Sequence, residues 1–292
     1  MIIKSLKILS QNVWKNKLLT DSIFENNKDY DIIFIQEPPW ATIWQVPSTL
    51  SPKGENLIGT SYHLSWILFI RNSETENDYP RVTTYVNKKI SKLQFSLWRD
   101  IYNHWDISLI SFLNHGILYY LLNVYSDNQQ NILKYLKDTE ANLNNIIIIT
   151  GNFNICDSDW DPVYLHHSLY TDTLCEISDS LDLKMSTPIN SIPTQYADNT
   201  QDSNLVIDLM FLWPNHREFD WHQIILELCK LSDHASLVVS IAINEEHIHM
   251  KKQMITKDSK NEKEFIKHLG EQISNINISN IADKETLENI TQ

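Results

Sequence analysis

The chain has 292 residues, of which 42% are hydrophobic and 21% charged. That is ordinary globular usage, and it excludes a wholly disordered or collagen-like chain; five glycines leave no room for a glycine-rich linker protein or a Rossmann-type fingerprint. The net charge of −13, from 37 acidic and 24 basic residues, argues against a general nucleic-acid coat, but not against an enzyme whose carboxylates hold a cation.

No apolar run approaches the roughly 18 residues a membrane helix needs. The N-terminal stretch MIIKSLKILSQNVWKN is too short and too polar for a signal peptide. Cys156, Cys175 and Cys229 form no CxxC pair and no zinc pattern. An intracellular site, nucleus or cytoplasm, is expected, with no secretion and no membrane partner.

Taken in chain order, short apolar runs predict strands over 6–13, 32–35, 64–70, 82–86, 107–112, 117–124, 146–149, 205–212, 223–228 and 236–243. Helices are predicted over 16–26, 129–142, 171–181 and 262–273. Many strands with few helices point to two packed sheets with helices outside. Composition turns polar at about Asn244. The expected division is therefore a domain over 1–244 and a linker with a helical tail over 245–292. A lone helix cannot bury itself and is not a second core. No internal repeat is visible.

Five segments carry chemistry. Gln11-Asn12 ends the first strand, where an amide can orient a water or a phosphate oxygen. Gln36-Glu37 follows the apolar run Ile32–Ile35 and precedes Pro38-Pro39. It delivers one carboxylate at a strand end, and one carboxylate plus waters and a phosphate is a usual Mg²⁺ site. Asn123-Val124-Tyr125 offers a phenol at another strand end. Gly151-Asn152-Phe153-Asn154 follows four isoleucines, with Gly151 expected to permit a sharp turn. Asp208 within an apolar run needs a partner, and Asp233-His234 is suited to a metal or a phosphate. Read one at a time, Asn12 is more often a strand-ending turn residue, Glu37 is as readily a surface charge, and Tyr125 belongs to core or rim.

Together and in this order, these segments resemble the endonuclease/exonuclease/phosphatase family, the DNase-I-like fold. The resemblance spans about residues 1–244 and implies a four-layer α/β sandwich of two mainly antiparallel sheets flanked by helices. Gln36-Glu37-Pro38-Pro39-Trp40, the stretch from Pro80 to Lys89, and Trp160-Asp161-Pro162 look more narrowly like the endonuclease domain of fungal non-LTR retrotransposons. The tail from Lys257 to Phe265 looks like the linker that precedes reverse transcriptase there. No reverse transcriptase follows within these residues, so a severed or decayed copy, or a free-standing domain, is expected.

The resemblance implies a divalent cation, Mg²⁺ or Mn²⁺, held by Glu37 with Asn12 and Asp233 near it. It implies that Tyr125 and Asn154 contact the scissile phosphate, and that His234, oriented by Asp208, binds or protonates it. At 152 the family has the aspartate that activates water. Here it is Asn152, and an amide has no basic site near neutral pH. A DNA-nicking phosphodiesterase weakened at Asn152 is the expected function, with DNA and other proteins of the element as partners and no small-molecule cofactor. The alternative is an inactive or purely DNA-binding domain. A phosphatase or lipase of the same superfamily fits less well, because the Gly-Asn-Phe-Asn turn lacks the inositol-phosphatase form.

Arg81 and Lys88, with Lys89 and Lys92, make a basic patch that suits a nucleic-acid backbone and a solvated strand-and-turn edge about equally. Trp40, with Trp44, is expected to line the groove. His166, His167, His247 and His249 are expected to be solvated. Asp157, Asp159 and Asp161 lack the glycine and final glutamate of a calcium loop and are expected to form an exposed acidic rim.

Overall fold

The computed structural model describes residues 5–45, 55–70, 79–139, 143, 145–161, 163–188, 193–197, 204–214, 219–227, 231–243 and 267, with backbone alone at 42–45, 55–58, 219–227 and 243. The elements are β1 (Ser5–Asn12), α1 (Lys17–Asn26), β2 (Ile32–Gln36), β3 (Ala41–Gln45), β4 (Glu55–Gly59), β5 (Trp66–Phe69), β6 (Val82–Asn87), a 3-10 turn (Lys88–Leu93), β7 (Ser96–Leu97), β8 (Ile107–Asn114), β9 (Ile117–Tyr125), α2 (Asn131–Asp138), β10 (Ile146–Asn152), α3 (Leu169–Ser180), β11 (Lys184–Met185), β12 (Asp208–Leu212), β13 (Phe219–Glu227) and β14 (Ser236–Ile243).

Two six-stranded sheets form, in the orders β13-β14-β1-β2-β6-β5 and β11-β12-β10-β9-β8-β7. Each has one parallel pair at its centre, β1 with β2 and β9 with β10, and the other pairings are antiparallel. A helix crosses over between the members of each parallel pair, α1 in the first sheet and α2 in the second. The two sheets thus have matching topologies, although no repeat is visible in the sequence. β3 pairs with β4 in a separate two-stranded ladder.

All five residues of β2 are buried, as a strand covered on both faces requires. Side-chain alternation divides them. Ile32 and Phe34 enter the core between the sheets, with Leu6, Ile8, Ile110, Phe112, Leu121 and Ile148. Ile33 and Ile35 face the other way and pack with Leu19, Ile23 and Phe24 of α1. On the outer face of the second sheet, Leu122, Ile149 and Leu209 pack with Ile132, Leu133 and Leu136 of α2 and Leu174 and Ile177 of α3. Three apolar layers separate four layers of structure, each buried aliphatic or aromatic side chain stabilising by roughly 1.5–3 kcal/mol.

Several expected bounds shift. The helix predicted over 129–142 runs from Asn131 to Asp138, because Gln130 is left-handed and Thr139 is extended. β12 starts at Asp208; Leu205 forms only a bridge to Gln195. The predictions over 262–273 and at Cys229, His247 and His249 lie outside the described residues, apart from Lys267. By internal packing the chain separates into units over Met1–Glu245 and Glu246–Gln292. No described helix is long and apolar enough to cross a membrane.

Candidate active site

The C-terminal ends of both parallel pairs carry the polar segments. β1 ends on Asn12, β2 runs into Glu37, β9 ends on Tyr125 and β10 ends on Asn152. An amide network ties the two sheets together beneath them. Gln36 Nε2 donates to Asn123 Oδ1 at 2.6 Å, and Asn123 Nδ2 donates to the Thr83 and Ile35 carbonyls at 3.0 and 3.2 Å. All these groups are buried, so each hydrogen bond also avoids a desolvation cost.

Glu37 sits in the left-handed region at φ 49, a conformation that costs a non-glycine residue free energy. Its backbone is pinned there: its N–H donates to the Arg81 carbonyl at 2.8 Å, and its carbonyl accepts from Lys15 at 2.7 Å. Asn12 Nδ2 donates to its carboxylate at 3.1 Å, and the Tyr125 hydroxyl hydrogen-bonds the same group. Asn12 Oδ1 accepts from the Trp14 N–H at 2.9 Å. Asn12 therefore orients the Glu37 carboxylate and the adjoining turn together. Burial, then the charge of Glu37, pushes the Tyr125 phenol up to about 12, opposed by Arg81, so it stays a donor at neutral pH.

His234 and Asp208 form the second cluster. His234 Nδ1 lies 2.7 Å from Asp208 Oδ2, and both side chains are buried. Burial works against charge on the imidazole, but Asp208, then Asp233 and Glu37, more than offset it, and the His234 pKa is raised. The other ring nitrogen, Nε2, is 4.0 Å from Asp233 Oδ2. Thr194 Oγ1 accepts from the Ile207 and Asp208 amides at 2.9 Å each, which fixes the start of β12. Ser232 Oγ accepts from the His234 N–H at 3.0 Å and donates to the Asn12 carbonyl at 3.1 Å, joining the two clusters.

Asn152 is opposite Asp208 on one side and Tyr125 on the other in the sheet register. Its Oδ1 accepts from the Asn154 N–H at 2.9 Å, and Asn154 Nδ2 donates to the Ser126 carbonyl at 2.5 Å. Gly151 is required for a reason other than the expected turn. It lies inside β10, and a Cβ there would stand 1.8 Å from the Val124 carbonyl oxygen on β9.

The basic and acidic groups lie differently from the arrangement expected from sequence. β6 runs antiparallel to β2, with Gln36 opposite Val82 and Ile32 opposite Val86. Arg81 therefore lies at the Glu37 end and Lys88 at the opposite end of the sheet. Lys89 pairs there with Asp31 at 3.2 Å. Arg81 is already engaged, with Nε and Nη2 each 2.5 Å from the Asp106 carboxylate, Asp127 at 3.2 Å, and its guanidinium over the Tyr125 ring. Trp40 donates to the Pro80 carbonyl at 3.0 Å and stacks on Tyr79. The Trp44 side chain is outside the described residues.

Asp157 and Asp161 are buried, so the acidic rim does not form as expected. Asp157 accepts from Ser168 N–H, Thr171 Oγ1 and Asp159 N–H at 2.7, 2.6 and 2.9 Å, and Asp161 accepts from Val206 N–H at 3.1 Å. His167, expected to be solvated, bridges Asp157 and Asp172. Among the described residues, Asp157, Asp159 and His167 form the one triad whose ligand atoms lie within 4.8 Å of one another. The Asp157 oxygens are already taken by N–H and O–H donors, so this triad is a structural clasp at the start of α3. Glu37 and Asp233 supply hard oxygen donors instead, and Asp233 Oδ1 is buried without a hydrogen-bond partner. This donor set fits a small divalent cation that keeps most of its waters.

Sequence reasoning missed Asp106, Asp127 and Thr194, and it used Asn123 only as part of a motif. The weak available signal was polar residues embedded in, or just beside, apolar strand runs.

No protein-family model matches the chain, and no curated protein matches it. Solved structures do. The endonuclease domain of TRAS1, a telomere-specific non-LTR retrotransposon, is 14% identical over 82% of this chain and 99% of that one, with a TM-score of 0.57. A humanized D. rerio TDP2 is 12% identical over 82% and 99%, with a TM-score of 0.47. An endonuclease/exonuclease/phosphatase from Beutenbergia cavernae DSM 12333 is 11% identical over 83% and 72%, with a TM-score of 0.46. The first carries the comparison, and it agrees with the paired mixed sheets and flanking helices. The chain has the DNase-I-like, endonuclease/exonuclease/phosphatase fold.

Proposed function

We propose that the chain is a divalent-metal-dependent phosphodiesterase that nicks DNA, weakened by Asn152. The observation that carries this reading is that two clusters share one strand-end surface. One is the Asn12–Glu37–Tyr125 group and the other is the buried His234–Asp208 pair. Ser232 joins them. The endonuclease domain of TRAS1 supports it through the shared fold.

In this reading Glu37 and Asp233 hold Mg²⁺ or Mn²⁺, and the ion, when bound, stabilises charge on the phosphate and leaving oxygen. Asn12 keeps the Glu37 carboxylate oriented. Asp208 orients His234 through Nδ1 and favours its protonated form, in which Nε2–H donates to a non-bridging phosphate oxygen as charge builds there. Asn154 donates to the same group through the Nδ2–H that Ser126 does not take, and Tyr125 does so by turning its single O–H from Glu37 to the phosphate. Water attacks phosphorus in line and loses its proton to solvent, the P–O3′ bond breaks, and the leaving oxygen takes a proton from solvent, giving a 3′-hydroxyl and a 5′-phosphate. Asn152 orients that water but cannot take its proton, and a missing general base costs about 10²–10⁴-fold.

The test is supercoiled-plasmid nicking with Mg²⁺ by the natural chain and by Glu37→Ala. Slow nicking that Glu37→Ala abolishes supports the reading. Nicking unchanged in Glu37→Ala contradicts it. A folded chain that never nicks, even as Asn152→Asp, supports the inactive-domain alternative.

A further inference from the structure

Beside the candidate site, the turn after β1 projects an indole outward. Trp14 is 60% exposed, and both Trp14 and Lys15 are left-handed, at φ 43 and 59. Exposing a large aromatic and holding two successive non-glycine residues in this conformation both carry a cost. The turn is nevertheless fixed by residues of the site: Trp14 N–H donates to Asn12 Oδ1 and Lys15 N–H to the Glu37 carbonyl.

Trp14 borders a cavity of 430 Å³ that it shares with Tyr196, Leu231 and Asp233. Leu231 is 52% exposed. The Tyr196 hydroxyl oxygen is buried and has no hydrogen-bond partner among the described residues. The walls are braced to each other: Asn16 Nδ2 donates to the Leu231 carbonyl, and Tyr196 N–H to the Asp233 carbonyl. The cavity therefore offers a flat aromatic surface and an aliphatic wall, and it opens beside the Asp233 carboxylate assigned to the metal.

We infer that the Trp14–Tyr196–Leu231 cavity is a subsite for an unpaired nucleobase next to the scissile phosphate. This rests on the proposed phosphodiester substrate and deepens it. A base is flat, apolar on its faces and polar at its edge, which matches an indole platform with the polar residues Asn16, Ser232 and Asp233 around it. Charge favours the same occupant. At a net −13, and with Lys88 and Lys89 at the far end of the sheet, backbone phosphates find little general attraction, so contact with a base has to supply much of the affinity.

The experiment is fluorescence-anisotropy binding of a short labelled DNA single strand to the full chain in EDTA, so that no cleavage intervenes. The strand is used intact and with one base at a time replaced by an abasic site. Trp14→Ala is expected to weaken binding of the intact strand by about 10-fold, the scale of a lost stacking platform, with the salt slope unchanged. Trp14→Phe is expected to retain most of the affinity. One abasic position should weaken binding to the natural chain by a similar factor and leave Trp14→Ala unaffected. The inference fails if every abasic strand binds the natural chain equally well, or if the abasic loss and the Trp14→Ala loss multiply. Because binding is read without metal or turnover, failure to nick plasmid would count against the proposed activity and leave this result standing.

Discussion

His234 Nδ1 and Asp208 Oδ2 are 2.7 Å apart and buried; Asp208 opens β12 of one sheet, and His234 lies two residues before β14 of the other. A histidine whose folded pKa is raised contributes stability that is complete below its unfolded value, about 6.5, and is lost as pH rises through the folded value. Asp208→Asn keeps an acceptor for Nδ1–H and removes the charge. In EDTA it should lower stability by about 1–3 kcal/mol in acid buffer, and by less in alkaline buffer where the imidazole is neutral in both proteins. Thermal melts at the two pH values check this; an equal loss at both would contradict it.

Arg81 holds Asp106 bidentately and covers the Tyr125 ring. Asp106 is 2% exposed, so removing its partner leaves a buried charge. The partial exposure of Arg81 reduces the penalty. Arg81→Met should destabilise by about 2 kcal/mol, and Arg81→Lys should recover little because one ammonium cannot span both carboxylate oxygens. Denaturant midpoints measure this, and Arg81→Lys matching the natural chain would refute the bidentate role.

Gly151→Ala places a methyl where the Val124 carbonyl oxygen already is. The central parallel pair of the second sheet would have to part, and loss of the folded protein is expected. Gly116→Ala is the control, because its Cβ meets nothing within 4 Å while φ is +82. It should cost only about 1–2 kcal/mol. Similar, small losses at both positions, read from circular-dichroism melts, would show that the strands can yield.

The boundary near residue 244 predicts that removing 245–292 leaves the first unit folded, with a cooperative melt close to that of the full chain. An unfolded or grossly destabilised truncation would show that the tail is part of the core.

Much of this was legible wherever burial writes a long apolar run. Ile32–Ile35 and Ile146–Ile149 announce central strands because both their faces are covered, and the polar residues just beyond each run mark the strand ends where the site lies. What could not be read was direction and distance. Lys88 and Arg81 are seven positions apart in one basic stretch, but they occupy opposite ends of the sheet because β6 is antiparallel to β2. The Gln36–Asn123 hydrogen bond spans 87 positions, and no local pattern encodes it. The β3 and β4 ladder and the short β7 and β11 were missed because they carry little apolar periodicity. Asp157 looked like a solvated turn residue; the partners that bury it, Ser168 and Thr171, come more than ten residues later.

The proposed weakening of catalysis turns on one side-chain atom. In Asn152, Oδ1 accepts from Asn154, and Asn152→Asp can keep that hydrogen bond while exchanging Nδ2 for a second, basic oxygen. The position is 2% exposed, so the new carboxylate should lower stability slightly without metal and should be a better base than a solvated one. The most direct measurement is the initial rate of plasmid nicking under Mg²⁺ by the natural chain beside Asn152→Asp, with both shown to be folded. Slow nicking by the natural chain and a gain of about 10²-fold or more in Asn152→Asp are expected. Equal rates in the two proteins would contradict this.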